Sequence, residues 1–351
     1  MVFLMHNKNK EKNMKLKDKE LWLELYEIAE KIQKLEPWKY LWDMDLLVYL
    51  YQPLNEIFYC SVMGHGGMHR AIAIYQDEQI HGFFELAKNK IPEYMLLNYQ
   101  ECLMCNFIGR QETLPKNREI IKELGLSFRG IWISFESFEK GYEPSPINIK
   151  QVKIMIEALK NFYMMFRAII EQRIKVDFEN GEVLVRHYDK EKKLFLNYPA
   201  PLMLPEKHYD TIKADNKFEK DIMKLPQTEM EIEYEFLNYV PIRIRDNKEQ
   251  DGRYYYPRAR FIAERKSGFV ISHDLINKND YENEMNYIIE SVEFLINNFY
   301  KMGRPKSIYV RDEETKMYLK DIADKAKIKL MVKPKLKAID EFYHYLDRME
   351  I

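Results

Sequence analysis

The order of elements written into residues 230–351 constrains the fold of this 351-residue chain more than any other feature. Three extended runs come first: EIEYEFLNYVPIRI (231–244), PRARFIAERK (257–266) and GFVISHDLI (268–276). Met285, Ile288, Ile289, Val292, Leu295, Ile296 and Phe299 then recur at helical spacing and predict an amphipathic helix over roughly 281–302. Gly303 ends it and Pro305 blocks its continuation. SIYV (307–310) reads as a short buried parallel strand. Leu319, Ile322, Ala323 and Ala326 mark a helix, and IKLMV (328–332) another strand. Leu336, Ile339, Phe342, Leu346 and Met349 form a last helical stripe. The order is βββαβαβα, and a strand–helix–strand unit of this length implies a right-handed crossover between parallel neighbours. The expected class is α+β, with a mixed sheet in this half.

Composition narrows the alternatives. Hydrophobic residues make up 46% and charged residues 32%, an ordinary globular balance and not a disordered one. The length allows two domains, or three, each with its own core. Lys and Arg number 55 against 56 Asp and Glu, so net charge gives no chain-wide attraction to nucleic acid, only room for a local patch. Three cysteines, Cys60, Cys102 and Cys105, argue against a disulfide framework and for a reducing compartment. No apolar run approaches the roughly 20 residues of a membrane span, and MVFLM is too short for a signal peptide's apolar region. The expectation is a cytoplasmic protein with no membrane partner.

Along the chain, residues 1–18 read as a lysine-rich flexible leader, with Met14 an alternative start. Residues 19–175 read as an N-terminal α+β domain that opens with a helix near Glu20. Strands are expected over 44–51, 56–63 and 69–75, the last two joined by a tight hairpin at GHGG (64–67). A helix at 76–88, a strand at 99–109, a helix at 115–126 with proline in its first turn, a strand at 130–138 and a long helix at 148–173 follow. Residues 176–212 hold a hairpin and the proline-bearing connector PAPLMLPE (199–206). The C-terminal domain occupies 213–351.

Four strings are distinctive together: LEPWKYLWDMD (35–45), YCSVMGHGGMHRAIAIY (59–75), YQECLMCNFIGRQETLPKNREIIKELGLSFRG (99–130) and ESFEKGYEP (136–144). With GRPKSIYV (303–310) and LKDIADKAKIKLMV (319–332), they resemble an uncharacterised bacterial family in which two modules of unknown function stand in series. That resemblance brings no activity and no catalytic residue. The βββαβαβα half is similar in layout to ribonuclease-H-like folds. In enzymes of that type, acids on the first strand, just after the fourth strand and on a helix hold two divalent ions that activate a water. The corresponding acids here are Glu235 (or Glu233), Asp312, and Asp340 (or Asp347).

Against catalysis, Glu231, Glu233 and Glu235 alternate with Ile232, Tyr234 and Phe236, as a solvated glutamate row would. Asp312 also suits a helix N-cap. Cys102 and Cys105, with Cys60, His65 or His69, are candidate zinc ligands. Residues three apart on a strand point to opposite faces, however, which favours buried free thiols. GHGG joins two strands, so it reads as a turn and not as a phosphate loop. Between Arg243 and Lys266, arginines interleave with tyrosines, and Arg258, Arg260 and Tyr255 are candidates for nucleic-acid contact. Trp38, Trp42 and Trp132 read as core or domain-interface residues. The function itself is expected to remain unknown. The favoured class is a non-catalytic binding or scaffold protein that engages a macromolecular partner, protein or nucleic acid, without a cofactor. The alternative is a nuclease or nucleotidyl-transfer enzyme dependent on Mg or Mn.

Overall fold

The central strands of the N-terminal half are buried on both faces, with alternate residues entering the core on one side. The computed structural model describes residues 14–53, 55–245 and 253–347. The chain divides into two units. One comprises residues up to His81 with Glu101–Glu139 and Pro144–Pro205; the other comprises Gly82–Gln100, Lys140–Glu143 and the chain from Glu206 onward.

The first part of the chain contributes α1 (Leu16–Leu35), β1 (Leu47–Tyr51), β2 (Glu56–Met63), β3 (Ala71–Gln76) and α2 (Ile80–Ala87). It continues with β4 (Cys102–Ile108), α3 (Pro115–Glu123), β5 (Trp132–Phe138), β6 (Ser145–Pro146), α4 (Ile149–Ile170), β7 (Glu182–Asp189) and β8 (Leu194–Pro201). The strands form one sheet in the order β6-β5-β4-β3-β2-β1-β7-β8. Of its pairings only β1 with β7 is parallel. Phe58, Cys60 and Val62 of β2 and Leu103, Cys105 and Phe107 of β4 enter one core with Trp22 and Tyr26 of α1 and Phe162 and Phe166 of α4. Asn148 starts α4 with a capping box, accepting from the Lys150 and Gln151 amides while Gln151 bonds back.

Three local expectations are corrected. Helix α1 starts at Leu16, inside the stretch read as a leader, with Asp18 placed favourably in its first turn. The Gly67 amide does close a turn on the Gly64 carbonyl, but it does not join β2 to β3 directly, since Met63 pairs with Ala71 and the loop runs through 64–70. Pro199 and Pro201 belong to β8 and not to a connector. They are tolerated because β8 is an edge strand, where a missing N–H breaks no central ladder.

The second unit contains α5 (Asn216–Ile222), β9 (Glu231–Glu235), β10 (Ile244–Arg245), β11 (Tyr254–Tyr255), β12 (Arg258–Glu264) and β13 (Val270–Ile276). Next come α6 (Glu284–Met302), β14 (Ser307–Val310), α7 (Glu313–Ala326), β15 (Lys329–Val332) and α8 (Lys337–Asp347). Its five-stranded sheet has the order β13-β12-β9-β14-β15. Strand β12 is antiparallel to both neighbours, whereas β9, β14 and β15 run parallel. The run 231–244 is not one strand: β9 stops at Glu235, and Ile244 belongs to a separate ribbon with β11. Pro241, which has no N–H to donate, stands between them.

Each face of this sheet has its own cover. Ile232, Tyr234 and Phe236 pack with Ile288, Val292 and Leu295 of α6 and Leu319 and Ile322 of α7. Ala259, Phe261 and Ala263 pack on the other face with Ile339 and Tyr343 of α8 and with Met95 from the 82–100 segment. Gly303 closes α6 at φ 83°, its N–H bonded to the Phe299 carbonyl. A Cβ there would lie 2.8 Å from the Pro226 carbonyl oxygen, so both backbone and packing call for glycine.

Candidate functional site

The glutamates of β9 lie on the face that α8 covers. Glu233 and Glu235 are fully buried, not solvated as their alternation suggested. Glu233 sits at the start of α8. Its Oε1 accepts from the Lys337 amide at 3.0 Å and from Arg265 Nη1 at 2.8 Å; its Oε2 accepts from the Ala338 amide at 2.9 Å. Leu336, whose carbonyl accepts the Asp340 amide, has no polar side chain to cap that helix. A carboxylate from a distant strand supplies the acceptor, and the partial positive charge of the helix start favours it. Burial pushes the Glu233 carboxyl up, against the pull of the α8 amides and Arg265.

Two residues along the strand, Glu235 meets Arg311. Arg311 Nε is 2.6 Å from Glu235 Oε2, Nη2 is 2.7 Å from Asp340 Oδ1, and Nη1 is 2.9 Å from the Pro334 carbonyl oxygen. Asn238 Nδ2 donates to the same Glu235 oxygen at 2.8 Å. Strand register explains the meeting. Ser307 pairs with Glu231 and Tyr309 with Glu233, so the next residue of that parity, Arg311, arrives beside Glu235. Burial pulls the guanidinium down and pushes the Glu235 carboxyl up, but Glu235 and Asp340 outweigh burial at Arg311 and hold it above its ordinary value.

Of the three acids singled out in the sequence, Glu235 and Asp340 come together across Arg311. Asp312 is near enough for its charge to help push the Glu235 carboxyl up, but it does not share the Arg311 guanidinium. Its Oδ1 accepts the Thr315 amide at 2.7 Å and caps α7. The side chain of Asp347, the other acid considered on α8, lies outside the described residues. Among the described residues no three His, Cys, Asp or Glu side chains are grouped to hold a metal ion. As arranged, the set does not fit a divalent ion, because a cation of the protein's own already stands between the two carboxylates. The sequence carried a signal for this residue: Arg311 has the parity of Tyr309, whereas Asp312 falls on the opposite parity and turns toward α7.

Arg258, Arg260 and Tyr255 are not presented to solvent; each is less than 9% exposed. Arg258 Nη1 lies 2.6 Å from Glu284 Oε1 and Nη2 lies 3.0 Å from the Tyr239 hydroxyl. Arg260 donates from Nε to Ser291 Oγ at 3.1 Å and from Nη2 to Glu290 Oε2 at 3.0 Å. Both arginines share the α6 face of β12 with Ile262, the parity opposite to Phe261. The Tyr255 hydroxyl bonds Asn277 Oδ1 at 3.1 Å. The alternation that read as a basic surface is a row of arginine stems beneath α6, with guanidiniums reaching glutamates at its rim.

Cys60, Cys102 and Cys105 are free and buried. Cys105 faces the α1–α4 core, as does Cys60, and Cys102 points to the other face beside Tyr75. Burial pushes the thiols of Cys60 and Cys102 up to about 12. Ellman's reagent at pH 8 is therefore expected to find no fast-reacting thiol in the native protein and three after unfolding. A fast-reacting thiol in the native protein would contradict that burial. Trp38 is buried, Trp132 is half-buried, and Trp42 is 55% exposed, so of the two places expected for it the core is ruled out for Trp42. Its ring stacks on His65 at 3.8 Å between centroids.

Residues 22–186 match a family described as a domain of unknown function, DUF7309, and residues 219–347 match a second domain of unknown function, DUF6930. The chain carries two domains of unknown function. The pairing is consistent with an uncharacterised two-module family. No curated protein and no solved structure matches. The Glu235–Arg311–Asp340 cluster lies inside the DUF6930 match. The DUF7309 match runs through residues 82–100 and 140–143, which fold with the second unit. Family boundary and structural boundary therefore differ. Met95, Tyr142 and Glu143 explain why: Met95 packs with α8, Tyr142 bridges to Tyr255, and Glu143 accepts from Arg243.

Proposed function

We propose that the protein is a non-catalytic, cytoplasmic binding protein whose C-terminal unit is a ribonuclease-H-like scaffold with its acid site closed by an arginine. The strand order β13-β12-β9-β14-β15, with β12 alone reversed, supports the scaffold reading. So do the acids placed on the first strand, after the fourth strand and on the last helix. The observation that carries the absence of catalysis is Arg311, which bridges Glu235 and Asp340 where a metal-dependent enzyme needs free carboxylate oxygens. Reduced, buried cysteines favour the cytoplasm, and among the described residues no helix is long and apolar enough to cross a membrane. No divalent ion is required by this reading.

The test is a cleavage assay on single-stranded, duplex and hybrid substrates with Mg or Mn, comparing wild type with Asp312→Asn. Asparagine still caps a helix, so this variant keeps the fold. The expected result is no metal-dependent cleavage by either protein. Manganese-dependent cleavage by wild type that Asp312→Asn abolishes would sink the proposal in favour of a nuclease.

A further inference from the structure

A cleft in the N-terminal unit gathers three cations that form no ion pair among the described residues. Its volume is about 590 Å3, within the range of small-ligand sites. Arg110, Arg118 and Lys122 line it together with Trp132, Pro115 and Leu126. One acid, Glu119, also reaches it. Among the described residues none of the three cations forms an ion pair, although Glu119 stands three residues before Lys122 on the same helix. Arg118 and Lys122 are four apart on α3 and so repel each other, an arrangement that an anion between them would convert to attraction.

The walls are built from fixed pieces. Arg110 follows β4 in a turn held by the Gly109 amide, which donates to Glu112 Oε2 at 2.7 Å, and by the Thr113 hydroxyl, which donates to the Gly109 carbonyl oxygen at 3.1 Å. Helix α3 is set at one end by Pro115 and closed at the other by Gly125 at φ 74°, with the Leu126 amide returning to the Ile121 carbonyl. Ile121, 2% exposed, anchors the helix in the core. Trp132 begins β5, and the Arg110 guanidinium lies 5.6 Å from its ring centroid. A half-buried indole with an exposed guanidinium above it offers stacking, and two adjacent cations offer a phosphate seat.

We infer that this cleft binds a nucleoside phosphate, with the base against Trp132 and Arg110 and the phosphate between Arg118 and Lys122. The ligand is either a free nucleotide or one residue of a single strand, since both present the same chemistry. Arg110 is exposed, so it swings outward to admit a base at little cost. This inference concerns the other unit and does not rest on the reading of Arg311.

Calorimetric titration of the full chain with ADP, adenosine, pyrophosphate and a twelve-residue single-stranded oligonucleotide tests it. Binding of ADP or of the oligonucleotide is expected, with adenosine and pyrophosphate each weaker by about 10-fold or more, since each lacks half of the contacts. A tighter oligonucleotide identifies a strand as the source, and a tighter ADP identifies a free nucleotide. The double variant R118E/K122E, at residues outside the core, is expected to weaken binding by about 100-fold or more. Trp132→Leu, which keeps an apolar side chain, is expected to weaken it by about 10-fold, and Trp132→Phe by less. For a strand, log Kd should also depend less steeply on log salt in R118E/K122E. Circular dichroism confirms that each variant is folded. Failure of both ADP and the oligonucleotide to bind overturns the inference. So does pyrophosphate binding as tightly as ADP, or binding that survives R118E/K122E in the folded protein.

Discussion

Replacing Arg311 with alanine is expected to destabilise the protein by about 3–5 kcal/mol, the usual cost of removing one partner from a buried charge network. Glu235 is fully buried and would keep only Asn238 as a side-chain donor, while Asp340 would lose the guanidinium that ties α8 to the end of β14. The Pro334 carbonyl would lose its donor as well. Urea denaturation should read this as a fall in midpoint on the order of 1–3 M. Lysine at 311 should rescue little, because one ammonium cannot serve Glu235, Asp340 and a carbonyl at once.

The same network makes an opposite prediction for the combined change. Glu235→Gln, Arg311→Met and Asp340→Asn together remove every charge at once and leave no carboxylate stranded. The triple variant should recover most of the loss, since replacing a whole buried ion network by neutral groups of similar volume is often close to neutral. If Arg311→Ala alone costs less than about 1 kcal/mol, the guanidinium is not the group that holds Glu235 and Asp340. The closed acid site would then lose its support.

Much of this C-terminal unit was legible in the sequence because its signals are local. The stripe from Ile288 to Phe299 fixed α6, Gly303 fixed its end, and the β-branched SIYV run fixed β14. Asp312 as an N-cap needed nothing beyond its position before Glu313 and Glu314. What stayed hidden depends on partners far along the chain. Alternation placed Glu233 and Glu235 on one face, but only α8, about a hundred residues later, decides whether that face is wet. The partnership of Arg311 with Glu235 needed the β9–β14 register, which no local pattern encodes. Arg258 and Arg260 read as a surface because arginine usually is one; glutamates on α6 reversed that. Segment 82–100 sits between two strands of the first sheet in sequence, yet it folds with the second unit because Met95 finds its apolar partners there.

Glu233→Leu is expected to cost about 3–5 kcal/mol and to loosen α8 selectively, because hydrogen bonds to an ionised acceptor carry more than neutral ones and four donors would be stranded at once. Those donors are the Lys337, Ala338 and Ile339 amides and Arg265, and leucine offers none of them an acceptor. Glu233→Gln retains one oxygen and should cost less, about 1–3 kcal/mol, since its amide nitrogen must face donors. Hydrogen exchange separates this local effect from a general loss of stability: amides 337–340 should lose protection more than those of α6. The sign of the effect also bears on function. Buried acids kept for catalysis are commonly a burden on the fold, and neutralising them tends to stabilise it. A stabilised Glu233→Leu protein with α8 still protected would mean that the carboxylate is held for chemistry. A destabilised one with a frayed α8 means that the acid row serves as the socket for the last helix, in keeping with the arginine that closes its other end.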